Sequence, residues 1–368
     1  MSTSTSTARI ALLTPALGTK NIGDHFIELA IRRLLREDVV YDRFSIRRRL
    51  RADEIDRINQ TSCALICGTN LYQHDWESEL DADVIGRIQV PIIPFGVGSS
   101  ASRLSETSVS PTTRAMIRLL HQHCAVGSVR DPHSAAVVAR TGVSNVIMTG
   151  CPVLFWAGQP HLPAITARPR RRLIVTARNW LMHRWPDAVD HPVQIELLRR
   201  VLAHFPPEMV TFAVHEDFDR NLVDRLNIPR QRVLDSEDPQ DYVRVYGDPD
   251  HVVLALRLHA GMLARANGLP AVFVGHDTRS YAFCEMLGIE CLDLFADDCG
   301  AACIDRLERT LAGGDGNIDG NDAADAVFQR LAVAMSDFMS ANNLPARRPR
   351  AVLTSTTTAP PARITAAR

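Results

Sequence analysis

The chain has 368 residues, of which 46% are apolar and 6% aromatic, as expected for an ordinary globular protein with room for two domains. Its formal net charge of -1 excludes the strong positive field that general nucleic-acid or anionic-membrane binders require. No uncharged stretch is long enough to span a bilayer, and the first 18 residues lack the basic segment of a signal peptide. These features predict a cytoplasmic protein.

The cysteines predict neither a metal centre nor a redox centre. Eight are present, but no CxxC pair occurs, so the zinc-ribbon and redox-motif spacings are not met. Most lie in apolar runs such as "CALICG" (63–68), where cysteine behaves as a small buried hydrophobe. We therefore expect reduced thiols and no bound metal.

The first half of the chain alternates strand-like and helix-like segments. An apolar run at 9–15 precedes a helical pattern at 24–37, in which Asp24 is a candidate N-cap. Further strand-like runs follow at 39–46, 63–68, 90–98, 125–131 and 145–150. Several are apolar without alternation, which is typical of parallel strands covered on both faces. An open α/β domain is predicted over 8–165.

The alternation restarts after an arginine- and proline-rich stretch at 159–172. Strand-like runs follow at 173–178, 209–216, 232–236, 252–257 and 270–275, then a surface loop at 312–322 and an amphipathic helix at 323–341. We predict two Rossmann-like domains with parallel sheets, 8–165 and 166–342, that face a ligand cleft. The segments 1–7 and 343–368 are predicted to be disordered.

A cation and an imidazole interrupt one of these apolar runs. In "HVVLALRLHAGM" (251–262), Arg257 and His259 stand two positions apart, so strand alternation would place both side chains on one face. The helix expected from about Ala260 would favour an anion at its N-terminus. A solvated arginine beside a core histidine fits the same residues, and this stretch alone leaves both interpretations open.

Four other predicted strands end in small or polar residues. These residues are Asn21 with Asp24, Gly68 with Asn70, Gly98, and Arg130 with Asp131. Mutual pairing of Arg130 with Asp131 would explain the last of these without a ligand. No G-x-G-x-x-G or Walker A sequence occurs, so the usual nucleotide-binding devices are missing. Five such strand ends together predict a ligand crevice.

The chain resembles the polysaccharide pyruvyl transferases over about residues 10–290. The matching stretches are "NIGDHFI", "CGTNLYQHD", "PFGVGSS", "SVRDPHSAAVVARTGVSNVIMTGCPVLF" and "LRLHAGMLARANGLPAVFVGHDTRSYAFCEMLGI". The resemblance implies a GT-B-like fold and a role in polysaccharide biosynthesis. It also implies transfer of the enolpyruvyl-derived group of phosphoenolpyruvate to hydroxyls of a sugar or glycan acceptor, with formation of a pyruvate ketal and release of phosphate.

This resemblance also implies roles for the strand-end residues. Planar guanidinium groups suit the phosphate and carboxylate of phosphoenolpyruvate, and an imidazole suits proton delivery to the donor. The expected substrate contacts are Arg257, Arg130, Asn21, Asn70, Gly68 and Gly98, and the expected catalytic groups are His259 as general acid and Asp24 as the group that orients or deprotonates the acceptor. Because the arginines can neutralise the donor, no cofactor or metal is required.

Two departures and two alternatives limit this interpretation. Cys151 stands before Pro152 where many relatives have Asp, and Arg279 stands near a position where many have Lys. A GT-B-like glycosyltransferase using a nucleotide sugar and a non-catalytic sugar-phosphate binding protein of the same fold both stay open. The sequence predicts no nucleic-acid partner and no membrane span, and it is compatible with a homo-oligomer.

Overall fold

The computed structural model describes residues 8–101, 103–159, 161–178, 191–314 and 318–347. The strands of the N-terminal unit are β1 (Arg9–Thr14), β2 (Val40–Ser45), β3 (Cys63–Cys67), β4 (Ile92–Phe95), β5 (Gly127–Val129) and β6 (Val146–Met148). Its helices are α1 (Ile22–Leu34), α2 (Ala52–Ile58), α3 (Ala82–Arg87), α4 (Pro111–Gln122) and α5 (Pro132–Ala139).

The C-terminal unit repeats the alternation. Its strands are β7 (Arg172–Thr176), β8 (Val210–Ala213), β9 (Val233–Leu234), β10 (His251–Ala255), β11 (Ala271–Gly275) and β12 (Cys291–Asp293). Its helices are α6 (His191–His204), α7 (Arg220–Arg225), α8 (Pro239–Val245), α9 (Leu258–Ala266), α10 (Thr278–Leu287) and α11 (Cys299–Leu311), and α12 (Ile318–Ala341) follows them.

The N-terminal sheet is parallel, with the strand order β2-β1-β3-β4. All five residues of β3 are buried, as its unbroken apolar run predicts. A single bridge between Val97 and Val129 links this sheet to the parallel pair β5-β6. The direction of strand succession reverses between β1 and β3, so the segments that follow these two strands form a crevice at the sheet edge.

The C-terminal sheet is also parallel, with the order β12-β11-β10-β7-β8-β9. Counted within the unit this is the Rossmann order 3-2-1-4-5-6, and its reversal lies between β7 and β10. The prediction of an α/β fold with two parallel sheets is confirmed. Strand β12 was not predicted, because three residues of which none is fully buried give no apolar run.

The last helix packs on both units. It contacts β6 of the N-terminal unit and α10 of the C-terminal unit. The ring centroids of Phe338 and Phe95 are 4.8 Å apart. Because α12 begins at Ile318, the prediction of a loop at 312–322 is wrong from residue 318 onward. Acidic residues are favourable in the first turn of a helix, so an Asp-rich stretch can begin one as well as form a loop.

The predicted chain ends are described only in part. Within the predicted tail 343–368, Leu344 is buried and Arg347 forms an ion pair with Glu37 at 2.5 Å, so residues 343–347 lie against α1 rather than in a disordered tail. Residues 1–7 and 348–368 lie outside the described residues. The domain limits 8–165 and 166–342 stay a prediction.

Most of the cysteines are buried, as their apolar sequence context predicts. All eight are free thiols. Burial raises the pKa of Cys63 and of Cys151 to about 11, so these thiols are protonated near neutral pH. Within the described ranges no helix combines the length and the apolar character needed to cross a bilayer.

Candidate active site

A cavity of about 390 Å³, the cleft, lies between the two units. Its walls are the segments that follow β1, β2, β3 and β5 on one side and β7, β8, β10 and β11 on the other. The strand-order reversals of both sheets therefore face the same space, which is where open α/β sheets bind ligands. The charged lining residues are Lys20, Arg47, Arg130, Arg178, Arg257 and Arg279, with Asp24, Glu216 and Asp217.

The structure brings seven of the eight predicted site residues to this cleft. They are Asn21, Asp24, Gly68, Asn70, Arg130, Arg257 and His259. The eighth, Gly98, lies behind Arg130, since a Cβ there would come 2.3 Å from the guanidinium carbon. A Cβ at Gly68 would come 2.8 Å from the carbonyl oxygen of Gly96. Close packing of the protein itself therefore requires both glycines, whether or not a ligand approaches them.

Arg257 and His259 reach the cleft from a helix and not from a strand. β10 ends at Ala255, Arg257 is the N-cap residue of α9, and His259 is the second residue of that helix. The prediction that strand alternation puts both side chains on one face is therefore wrong, because the chain has already turned. They share the cleft because the N-terminus of α9 borders it.

The guanidinium of Arg257 is held by two carboxylates. Nη1 lies 2.9 Å from Oε1 of Glu216, and Nη2 lies 2.5 Å from Oδ1 of the fully buried Asp219. Nε donates to the carbonyl oxygen of Ala177 at 2.8 Å. Burial alone would lower the pKa of Arg257, but Asp219 and Glu216 outweigh burial and raise it. All three nitrogens thus have protein partners, and a direct contact with the donor stays a prediction.

The imidazole of His259 is strongly disfavoured as a cation. Its Nε2 is buried and makes no hydrogen bond within the described part of the chain. Burial, together with the positive charges of Arg130, Arg257 and Arg178, lowers the pKa of His259 to about 3. The ring is therefore neutral near pH 7 in the ligand-free protein. A bound anion would offset these positive charges and raise that pKa.

Arg130 is buried at the N-terminal wall. Its Nε donates to Asp131 at 2.9 Å, and its Nη2 donates to Oδ1 of Asn70 at 2.6 Å and to the carbonyl oxygen of Ser99 at 2.8 Å. The pairing with Asp131 that the sequence suggested is present. Asp131 also caps α5 by accepting from the backbone N–H of Ser134. These contacts fix the direction of the guanidinium and leave Nη1 without a hydrogen bond to the described residues.

The sequence suggested Asp24 as the N-cap of α1, but Asp24 lies inside the helix. The N-cap is Asn21, whose Oδ1 accepts from the backbone N–H of Gly23 at 3.2 Å. Asp24 is the third residue of the helix, and Arg47 donates to its carboxylate at 2.6 Å. Burial raises the pKa of Asp24, and the charge of Glu216 across the cleft adds to this effect, while Arg47 opposes it. Asp24 is thus a carboxylate whose basicity is increased.

Arg178 and Arg279 form a second pair of cations in the cleft, and the sequence-based prediction of the site did not include Arg178. The carboxylate of Asp277, the N-cap residue of α10, lies 3.3 Å from Nη1 of Arg178 and accepts from Nε of Arg279 at 2.8 Å. Burial alone would raise the pKa of Asp277, but His276 and Arg178 outweigh burial and lower it. The strand-end rule that found Arg257 also applies to Arg178, which closely follows β7, and would have found it.

Comparison with known proteins identifies a family. The family model of polysaccharide pyruvyl transferases matches residues 21–278. A search among curated protein sequences finds no match.

Among solved structures the chain is similar to several enzymes and enzyme complexes at low sequence identity. One is the S. aureus MnaA-UDP structure, with 11% identity, 91% of this chain and 96% of that chain covered, and a TM-score of 0.46. The UDP-GlcNAc 2-epimerase from Neisseria meningitidis bound to UDP-GlcNAc has 10% identity, coverages of 90% and 99%, and a TM-score of 0.45. A glycosyltransferase from Rickettsia africae ESF-5 has 9% identity, coverages of 91% and 99%, and a TM-score of 0.47. At such identities the similarity concerns the fold alone.

Proposed function

Because the chain belongs to the polysaccharide pyruvyl transferase family, we propose that it transfers the enolpyruvyl-derived group of phosphoenolpyruvate to a sugar or glycan acceptor. Two acceptor hydroxyls add to C2 of the donor, a cyclic pyruvate ketal forms, and phosphate leaves. The observation that carries this proposal is the set of fixed guanidinium groups around Nε2 of His259, which makes no hydrogen bond to the described residues. Such a set suits a small ligand that carries two anionic groups beside a protonatable carbon.

The donor would bind between the N-termini of α9 and α10. Arg130 lies near the first of these ends, and Arg178 and Arg279 lie at the second. Both helix ends favour anions, and the guanidinium groups supply paired hydrogen bonds to phosphate and carboxylate oxygens. Since the carboxylates of Asp131 and Asp277 orient these arginines, little reorganisation is needed when the donor arrives.

His259 would deliver the proton that the reaction requires at the methylene carbon of the donor. Protonation of C3 turns C2 into an oxocarbenium-like centre that an acceptor hydroxyl can attack. The low pKa of the ligand-free imidazole fits this role only when the donor is bound, because the charges of the donor offset those of Arg130, Arg257 and Arg178. The acid would therefore become charged only in the presence of its substrate.

Asp24 and Glu216, two of the three carboxylates that line the cleft, would serve the acceptor. Asp24 has a raised pKa and would take the proton of the attacking hydroxyl. Of the two hydroxyl protons that the ketal closure releases, one replaces the proton given to C3 and the other leaves with phosphate. The amide groups of Asn21 and Asn70 would orient the substrates. Arg257 would hold Glu216 in position and contact the donor.

The test compares donors on the purified protein. Phosphoenolpyruvate should raise the melting temperature, because a ligand that binds only the folded state stabilises it, whereas UDP-sugars should not. Each melt is repeated with candidate acceptors present, and phosphate release is then measured with donor and acceptor together. A shift with nucleotide sugars alone would favour a glycosyltransferase. Binding of phosphoenolpyruvate without phosphate release for any acceptor would favour a binding protein.

A further inference from the structure

A second cavity, of about 380 Å³, lies within the N-terminal unit, and we call it the N-terminal pocket. Leu17 and Gly18 line it from the turn after β1, and Arg43, Arg47 and Arg48 line it from the end of β2 and the turn that follows. Arg47 also lines the cleft. Because β1 and β2 are parallel neighbours, the pocket opens at the same sheet edge as the cleft. None of the roles proposed above uses it.

Each of its three arginines is anchored by one carboxylate. The nitrogen-oxygen pairs are Arg43 with Glu28 at 2.7 Å, Arg47 with Asp24 at 2.6 Å and Arg48 with Glu54 at 2.6 Å. The carboxylates of Glu28 and Glu54 are almost completely buried, whereas the arginine side chains are 37 to 48% exposed. The carboxylates thus orient the guanidinium groups, and Glu54 also lines the pocket beside them.

Each guanidinium keeps one nitrogen that makes no hydrogen bond within the described residues. These atoms are Nη1 of Arg43, Nη1 of Arg47 and Nε of Arg48. Three donors from three oriented side chains suit the oxygens of a phosphoryl group, whereas a carboxylate offers only two oxygens, which one fork can satisfy.

We propose that the N-terminal pocket binds a phosphoryl group carried by the acceptor, so that the acceptor is a sugar phosphate or a phosphate-linked glycan and not a neutral sugar. The inference rests on the proposed function, since it assigns the acceptor side of the same reaction. Arg47 joins the two sites, because Nη2 holds the carboxylate of Asp24 while the side chain also borders the pocket. An acceptor phosphate at Arg47 would therefore leave an acceptor hydroxyl within the cleft.

Calorimetry with glucose 1-phosphate, glucose and inorganic phosphate as probes tests the proposal on the full chain. Arg48→Gln removes one pocket guanidinium, and Leu17→Trp fills the pocket without changing any ion pair. Arg36→Gln is the matched control, since Arg36 is 45% exposed, pairs with Asp38 and lies outside the pocket. Loss of one charge-assisted contact should weaken glucose 1-phosphate binding about tenfold in Arg48→Gln. Leu17→Trp should weaken it at least as much, and Arg36→Gln should not weaken it.

Glucose 1-phosphate should bind the wild-type chain more tightly than either glucose or inorganic phosphate. Absence of binding to the wild-type chain, or unchanged binding in Leu17→Trp, would overturn the proposal even if Arg48→Gln does not fold. Inorganic phosphate that binds as tightly as glucose 1-phosphate would also overturn it, because the pocket would then be a site for free phosphate. Phosphoenolpyruvate is titrated separately. If it fails to bind while the pocket pattern holds, the proposed function fails and the phosphate site stands.

Discussion

Gly23 and His259 face each other across the cleft, one from each unit. A Cβ at Gly23 would lie 2.6 Å from Nδ1 of His259, closer than side-chain carbons approach a ring nitrogen. Gly23 is the second residue of α1 and His259 the second residue of α9, so two helix N-termini meet around the imidazole. The N-terminal unit therefore limits where the ring can lie.

Replacing Gly23 by alanine should lower turnover at least tenfold with little loss of donor affinity. The added methyl group displaces the imidazole from the donor, and small misplacements of a reacting group are costly. The measurement pairs phosphate release in single turnover with donor calorimetry. Gly86→Ala is the control, because a Cβ at this position of α3 would meet no atom within 4 Å. Wild-type turnover in Gly23→Ala would show that the position of the ring is unimportant.

Replacing His259 by alanine should lower turnover about a hundredfold and leave donor binding largely intact, because a general acid acts mainly in the transition state. Phosphate release and calorimetry measure the two effects, and circular dichroism checks the fold. His74→Ala serves as the control, since His74 is exposed and its Nδ1 contacts the backbone carbonyl oxygen of Ser108, outside the cleft. Near-normal turnover, or an unfolded variant, would mean that His259 serves packing.

Donor binding should take up protons at His259. The ligand-free pKa is about 3, chiefly because of burial and further because of the nearby arginines, so the ring is neutral at pH 8; bound anionic groups offset the arginines and raise that pKa. By linkage, donor affinity should rise as the pH falls through the pKa of the bound state toward that of the ligand-free ring. Calorimetry in buffers of different ionisation enthalpy measures the uptake. The measurement is made at pH 8, where the phosphate group of the donor is already a dianion, so that uptake by His259 is distinguished from uptake by the donor. The His259→Asn variant is the control, and uptake equal to that of the wild type would contradict the assignment.

The Arg257→Lys variant should lose stability as well as donor affinity. Lysine keeps the charge but cannot bind Glu216, Asp219 and the carbonyl oxygen of Ala177 together. We expect the free energy of unfolding to fall by ~2 kcal/mol, because a buried carboxylate loses its fixed partner. Urea denaturation measures this change. The control is Arg9→Lys, whose ion pair with Asp42 is at the surface and should matter little. Unchanged stability in Arg257→Lys would show that the buried pairs contribute little.

The sequence by itself determined where β1 to β11 lie and which strand ends line the cleft. Several of these strands, such as β3, are unbroken apolar runs, because a parallel strand buried on both faces needs apolar residues at every position. It also predicted that Asn21, Asn70, Arg130 and His259 would share a cleft. This succeeded because the carboxyl ends of parallel strands converge at one edge of a sheet, whatever the detailed order of the strands.

Only the tertiary structure decided which groups pair within the cleft. Glu216 and Asp219 bind Arg257 from a different strand end, and the contact of Gly23 with His259 joins elements more than 200 residues apart in the chain. No local pattern encodes such pairs, because hydrogen bonds and ion pairs depend on distances that are set when the units dock. The pKa of His259 is likewise a property of the assembled cleft, since the arginines that lower it come from both units.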